Sequence, residues 1–385
     1  MAKRKVCVVV TARPSYSRIK TALTAIAAHP NLELQLVVAA SALLDRYGSA
    51  IDTIKQDGFK IAAQVYMVLE GENLATMAKT TGLGLVELAT VFDNLRPDVV
   101  VTVADRYETI ATAIAAAYMN IPVAHVQGGE VTGSIDEKVR HAVTKLADLH
   151  FVSTDEALRR VIRMGEEPAN VYVTGCPSID IAKEVLENPA LDFDPFQKYG
   201  GVGSVSSMAN GYLVVMQHPV TTEYQLARQH VLQTLRAVRD LGITTFWFWP
   251  NVDAGSDGTS KAIRSFRENE SPQNMHFFKS MSPTDFLRLV INSKALIGNS
   301  SVGIRECSYL GVPVVNIGTR QAGRERGHNV MDVNYEYDAI IGGIRQQISN
   351  GRYPIDRIYG DGDAGVRIAD LLAMAPLHIE KRLTY

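Results

Sequence analysis

An α/β fold built from two doubly wound parallel sheets is predicted by three features of the sequence. Short apolar, β-branched runs alternate with longer helical patterns, which is how strands buried on both faces and their crossover helices read. The alternation breaks once, near 187–210, where Asn188-Pro189, Asp194-Pro195 and Gly200-Gly201-Val202-Gly203-Ser204 crowd together. Unusual polar residues gather directly after the apolar runs, where doubly wound sheets carry their ligands.

Taken in order, runs at 5–11, 34–39, 98–103, 122–126, 149–153 and 171–174 are the predicted strands of a first sheet, with helical stretches such as 107–119 and 136–147 between them. The rhythm restarts with strands at 212–216, 244–249, 275–278, 294–297 and 313–317, and with helices at about 222–241, 258–268, 284–292 and 301–310. The expected organisation is therefore a first domain over 1–187, a linker with a flexible tip over 188–210, a second domain over 211–364 and a mostly helical tail over 365–385. Two such halves joined once are expected to place a ligand cleft between the carboxyl ends of their sheets.

Composition narrows the function. The chain has 385 residues with 39 Lys+Arg against 41 Asp+Glu, a net charge of -2, and is 46% hydrophobic and 21% charged. That is the composition of a globular protein and not of a disordered one. A near-neutral chain without a Lys/Arg block lacks the one-signed field a nucleic acid requires, so no nucleic-acid partner is expected, and a small anion held by a few arginines stays open. Cys7, Cys176 and Cys307 form no C-x-x-C pair, so neither a disulfide framework nor a zinc site is expected, and no metal ligand set is assigned. The apolar run after Lys3-Arg4-Lys5 is short and ends at Arg13-Pro14, so it reads as a strand and not as a signal peptide. No run approaches the length of a membrane span, so a cytoplasmic protein without a membrane partner is expected.

The first strand leads into Arg13-Pro14-Ser15-Tyr16-Ser17, which puts Arg13 and Ser17 at the mouth of the sheet, although a surface arginine would look the same. The strand at 98–103 runs into Ala104-Asp105-Arg106, an acid and a base leaving together, with Asp105 equally able to cap the next helix. Gln127-Gly128-Gly129-Glu130 follows the strand at 122–126, and its glycines let backbone approach a ligand while Glu130 rides on the loop. Asp136 and Arg140 share a helix face and can form a surface ion pair, and His141 can be a core histidine. In the second half, His218 ends a strand and is pinned by Pro219, which makes it the best proton-transfer histidine of the nine. Asn251 lies in the polar turn after the strand at 244–249. The sharpest local signal is Gly298-Asn299-Ser300-Ser301, a strand end opening into a helix start that suits a diphosphate, although serine there is also ordinary capping. Glu306 lies where a carboxylate can accept from ribose hydroxyls, and Arg320 arrives from the next strand's loop. Neither a Walker A motif nor G-x-G-x-x-G after the first strand occurs, which weighs against ATP hydrolysis and NAD binding.

These blocks resemble the hydrolysing UDP-N-acetylglucosamine 2-epimerases, the family that includes the epimerase half of the bifunctional sialic-acid enzyme. The resemblance runs from residue 5 to about 368 and rests on Ala104-Asp105-Arg106, Gly128-Gly129-Glu130-Val131, Arg140-His141-Ala142, Thr174-Gly175-Cys176-Pro177-Ser178, Gln217-His218-Pro219-Val220-Thr221-Thr222, Pro250-Asn251-Val252-Asp253, Gly298-Asn299-Ser300-Ser301 and Gly318-Thr319-Arg320-Gln321. It implies a GT-B-type fold of two Rossmann-like domains with the substrate between them and a final helix crossing back to the first. It also implies release of UDP and N-acetylmannosamine with no cofactor, by a homodimer or homotetramer. Ser300, Ser301, Glu306, Arg320 and Arg13 are then the expected UDP ligands, with Ser17 and His141 also binding substrate. Asp105, Glu130, Asp136 and His218 are expected around the sugar, assisted by Arg106 and Asn251.

Three positions depart from the family pattern. Ser15 replaces an acid, Gln127 a glutamate and Ala42 a histidine. They leave the sugar open between N-acetylglucosamine and a 6-deoxy diacetamido relative, and the competing activities are a non-hydrolysing 2-epimerase and a glycosyltransferase.

Overall fold

The computed structural model describes residues 2–44, 50–71, 73–103, 106–132, 135–220, 222–250 and 256–384. These fall into two compact units. The first comprises the described residues of Met1–Val131, Ile135–Ile181 and Tyr359–Tyr385, and the second those of Ala182–Ile358 with Thr132–Ser134.

The first unit is built on seven strands, β1 (Arg4–Val10), β2 (Leu32–Ala39), β3 (Ile61–Val65), β4 (Val99–Val103), β5 (Val123–Val126), β6 (Leu149–Val152) and β7 (Val171–Val173). Their order is β3-β2-β1-β4-β5-β6-β7, and every pairing is parallel. Alternation along β1 shows why its buried part must be apolar on both faces: Val6, Val8 and Val10 enter one core while Cys7 and Val9 enter another. The helix Ala364–Met374 adds Ile368, Ala369 and Leu372 to the first of these cores.

The second unit carries β8 (Val202–Gly203), β9 (Tyr212–Met216), β10 (Thr244–Phe248), β11 (Met275–Phe278), β12 (Ala295–Gly298), β13 (Val314–Ile317) and β14 (Val330–Val333). The order is β14-β13-β12-β9-β10-β11-β8, parallel except for β8 on β11. Its core holds Leu213 and Val215 of β9, Trp247 of β10 and Ile297 of β12.

In both sheets the order reverses beside the first long strand, between β1 and β4 and between β9 and β12. The carboxyl ends flanking such a reversal are where doubly wound folds bind ligands, because the crossovers diverge there and leave a crevice.

Four expectations need correction. The segment 188–210 is no bare linker: it forms the helix Pro195–Tyr199, capped by Asp194, and the edge strand β8. It is held down by His276, whose ring meets the carbonyls of Gly200 at 2.9 Å and Ser204 at 3.3 Å. The helix expected over 222–241 is a 3-10 turn, Tyr224–Leu226, followed by the helix Ala227–Asp240. The helix expected over 301–310 is interrupted at Arg305, leaving Ser301–Ile304 and Glu306–Leu310. The tail leaves the helix at Ala375, in extended conformation before Pro376, and does not resume one. Two edge strands, β3 and β14, and the helix Leu74–Leu95 have no counterpart in the sequence reading. No helix among the described residues is long and apolar enough to cross a membrane.

Candidate active site

The predicted residues of the first unit follow β1, β4 and β5, three neighbours that span the reversal of strand order. Arg13 opens the short helix Arg13–Ser17, and Ser17 donates back to its carbonyl at 3.4 Å. Protein atoms ring the Arg13 guanidinium and pull it down to about 10, although part of its side chain reaches solvent, so it stays cationic near neutrality. Asp105 lies outside the described residues. Arg106 follows β4 and donates its Nε to Glu108 Oε1 at 2.8 Å. Glu108, not singled out from sequence, is 1% exposed, and its other oxygen has no hydrogen-bond partner among the described residues. The only local signal for it is an acid at the start of the helix Thr109–Tyr118.

Glu130 sits on the loop after β5, 4% exposed, and its Oε1 accepts from the Ser153 hydroxyl at 3.1 Å. The loop's shape is fixed by backbone that ordinary residues avoid. Gln127 has φ of 68° and Gly129 of 74°, and a Cβ on Gly129 would lie 2.3 Å from the Ala157 carbonyl oxygen. Arg140, 1% exposed, ties the loop to the helix Ile135–Leu146 by donating to the Glu130 carbonyl at 2.8 Å. The same arginine lies 3.6 Å from Glu137, which also meets His141 at 2.8 Å. Glu137 thus takes part in the helix-face pairing predicted from Asp136 and Arg140. Asp136 is half-buried in the first helical turn. His141 is no core histidine: it is 36% exposed, while its Nδ1 is buried without a partner among the described residues.

In the second unit the reversal of strand order is stitched by one side chain. Asn299, after β12, accepts the His218 N–H at 2.7 Å and donates to the His218 carbonyl at 2.9 Å. Its own carbonyl receives Arg320 at 3.2 Å and Gln321 at 2.8 Å. His218, 4% exposed, is therefore fixed at the end of β9 beside the loop that carries the serines and the arginine. Gly298 opens that loop with φ of 127°, and a Cβ there would lie 2.1 Å from the Met216 carbonyl oxygen. Sequence reasoning did not assign Asn299 a role, because its two bonds join strands distant in the chain.

Ser300 caps the next helix, accepting from Val302 N–H at 3.4 Å, and keeps its own O–H as a donor. Ser301 Oγ accepts from the buried Arg305 at 2.8 Å. Glu306 is 5% exposed; its Oε2 lies 3.9 Å from Arg305 Nε and has no hydrogen-bond partner among the described residues. A buried carboxylate oxygen without a donor is costly, and it marks a place where a ligand's hydroxyl would be welcome. Asn251 lies outside the described residues.

Comparison with known proteins gives a consistent result. The UDP-N-acetylglucosamine 2-epimerase family profile matches residues 24–373. The UDP-N,N'-diacetylbacillosamine 2-epimerase (hydrolyzing) of Legionella pneumophila is 32% identical over 375 residues, covering 97% of each chain. The UDP-N-acetylglucosamine 2-epimerase of Neisseria meningitidis is 29% identical, covering 94% of this chain and 92% of its own. A crystal structure of UDP-GlcNAc 2-epimerase from Neisseria meningitidis bound to UDP-GlcNAc superposes with a TM-score of 0.78 at 18% identity, over 96% of this chain and 99% of that one. That likeness concerns the fold, which is of the GT-B type with two Rossmann-like α/β units. On the family profile and the relatives that span nearly its whole length, the chain belongs to the UDP-N-acetylglucosamine 2-epimerase family.

Proposed function

We propose that the protein is a hydrolysing 2-epimerase that converts UDP-N-acetylglucosamine to UDP and N-acetylmannosamine. The observation that carries the nucleotide half is Glu306, a buried carboxylate whose Oε2 awaits donors that a ribose diol supplies. Ser300 and Ser301 hydroxyls with the Arg320 and Arg13 guanidiniums would hold the diphosphate, each as a charge-assisted donor.

The chemistry needs those donors as well as an acid-base pair. The C2 hydrogen of the sugar is a poor acid, so its removal must be coupled to departure of UDP from C1, with the growing diphosphate charge stabilised. Glu130 or Asp136 would take the C2 proton as the C1–O bond breaks, giving 2-acetamidoglucal and UDP. Water then adds its oxygen to C1 and gives up one proton to the other carboxylate of the Glu130–Asp136 pair, while a proton returns to C2 on the opposite face, from His218 in this reading. Asp105, Arg106, His141, Ser17 and Asn251 are proposed to orient the ring.

The reading is tested by incubating the protein with UDP-N-acetylglucosamine in heavy water and following products by NMR. Released N-acetylmannosamine carrying deuterium at C2 is the expected result. Sugar that stays on UDP would mean the non-hydrolysing reaction, and transfer only to an added acceptor would mean a glycosyltransferase. A second reading, the same chemistry on a UDP-linked diacetamido sugar, is favoured by the activity named for the Legionella pneumophila relative. Running the assay in parallel on UDP-N,N'-diacetylbacillosamine separates the two by which substrate is consumed.

A further inference from the structure

His218 borders a cavity in the second unit shared with Gln217, His230, Thr259 and Tyr335. The cavity volume is about 10 Å³, the room needed by about one water. Gln217 is 2% exposed and Thr259 1%, and Gln217 Oε1 and Thr259 Oγ1 have no hydrogen-bond partner among the described residues. Two such orphans bordering one cavity of this size call for a shared partner, since each unmet buried polar atom costs about 1–3 kcal/mol. Also lining the cavity, the His230 ring is stacked on Tyr335 with centroids 3.5 Å apart and planes 5° apart. Its Nδ1 lies 3.9 Å from Glu223, and its side chain is 15% exposed, so it links the cavity to solvent.

We propose that this cavity binds one water, held by Gln217 Oε1 and Thr259 Oγ1, through which His218 exchanges its proton with solvent by way of His230. The inference rests on the reaction proposed above, and proton balance gives the water its task. In each turnover the group that protonates C2 gives up one proton and must regain one before the next cycle. His218 is 4% exposed, and its backbone N–H and carbonyl are both held by Asn299, which keeps the residue at the cavity and away from bulk solvent. The water supplies it: one proton passes from the water to the His218 ring, and one passes to the water from His230, which recovers its own from bulk solvent. Thr259 and His230 are thus positioning residues that act through His218, and neither need touch the sugar.

The test combines a high-resolution crystal structure of the full chain with the variants Thr259→Val, Thr259→Ser and His230→Phe. Density for a water within hydrogen-bond reach of Gln217 and Thr259 is expected, and its loss in T259V. In the assay, T259V and H230F should lower kcat roughly 10- to 100-fold with KM and UDP affinity unchanged. T259S, which restores the hydroxyl, should recover most of the rate. A dry cavity in the wild-type structure overturns the proposal whether or not T259V folds. Wild-type kcat in both T259V and H230F, or failure of T259S to restore the rate, overturns the relay. If neither sugar nucleotide is turned over, the proposed reaction falls and the relay with it, while the crystal structure still decides whether the water site exists.

Discussion

Glu306 illustrates how a single side chain can be worse for the fold than for the function. The residue is 5% exposed and one carboxylate oxygen lacks a hydrogen-bond donor, so the Arg305 charge 3.9 Å away offsets only part of its desolvation cost. Glu306→Gln should leave thermal stability unchanged or raise it, while weakening UDP binding about tenfold, the size of one lost bond between a charged acceptor and a hydroxyl. Calorimetric titration with UDP beside a melting curve checks both halves, and an unchanged Kd would remove Glu306 from the nucleotide site. Glu130 makes the opposite case. Its carboxylate holds the Ser153 hydroxyl and keeps a basic site on a glycine-rich loop. Glu130→Gln preserves shape and the acceptor toward Ser153 but not basicity. It should reduce kcat about 100-fold or more with UDP affinity intact, and wild-type turnover would transfer the base's role to Asp136.

Among the elements, the loop after β5 is the one whose geometry can be least altered. A Cβ on Gly129 would press on the Ala157 carbonyl at 2.3 Å and would require a left-handed backbone at the same time. Gly129→Ala should cost at least about 2 kcal/mol in urea unfolding. Gly82 is its control: it is a helical glycine with nothing near its would-be Cβ, so Gly82→Ala should be neutral or stabilising. Equal effects at both positions would refute the steric account. The same loop shows what sequence can convey. Interior strands such as β1, β4 and β9 are legible because both faces are buried and the run is almost wholly apolar once past the charged start of β1. The edge strands β3 and β14 are half-exposed, with burial alternating or weak along their length, and so escape that signal. Candidate site residues suggest themselves where a polar side chain follows a strand, as at Arg106, Glu130 and His218. Glu108, Asn299 and Thr259 do not, because their places depend on partners far off in the chain or on a cavity, and a local pattern carries neither.

For the molecule as a whole, the chain leaves the first unit after Ile181 and returns at Tyr359, and the returning segment is fastened at several points. Asp180 accepts the N–H groups of Ala364 at 2.9 Å and Gly365 at 2.7 Å, capping the returning helix from outside its own sequence. Further on, Lys381 donates to the Thr144 and Ala147 carbonyls and meets Glu166 at 2.5 Å. Glu166 is 2% exposed and also receives Lys145 at 2.5 Å and His150 at 3.1 Å. Burial alone would raise this carboxyl, but the hydrogen bonds from His150, Lys145 and Lys381 outweigh it and hold it at about 2. The same burial keeps His150 and Lys381 below their ordinary values, so part of the gain at Glu166 is given back by its partners. The net contribution is therefore smaller than the roughly 3 kcal/mol that the carboxyl's shift alone would supply. Its sign is definite. A carboxyl depressed on folding stabilises above its unfolded pKa and loses that contribution as pH falls through the range from 4.5 toward about 2. His150 acts in the same direction from higher pH, since the unfolded chain takes up its proton first, below about 6.5. Urea unfolding at about pH 7 and about pH 3 should show wild-type protein losing stability steeply. Glu166→Gln should be weaker at neutral pH and lose less on acidification, because the variant has no carboxylate there to protonate. An acid limb of the same slope in the variant would assign the acid sensitivity to other carboxylates.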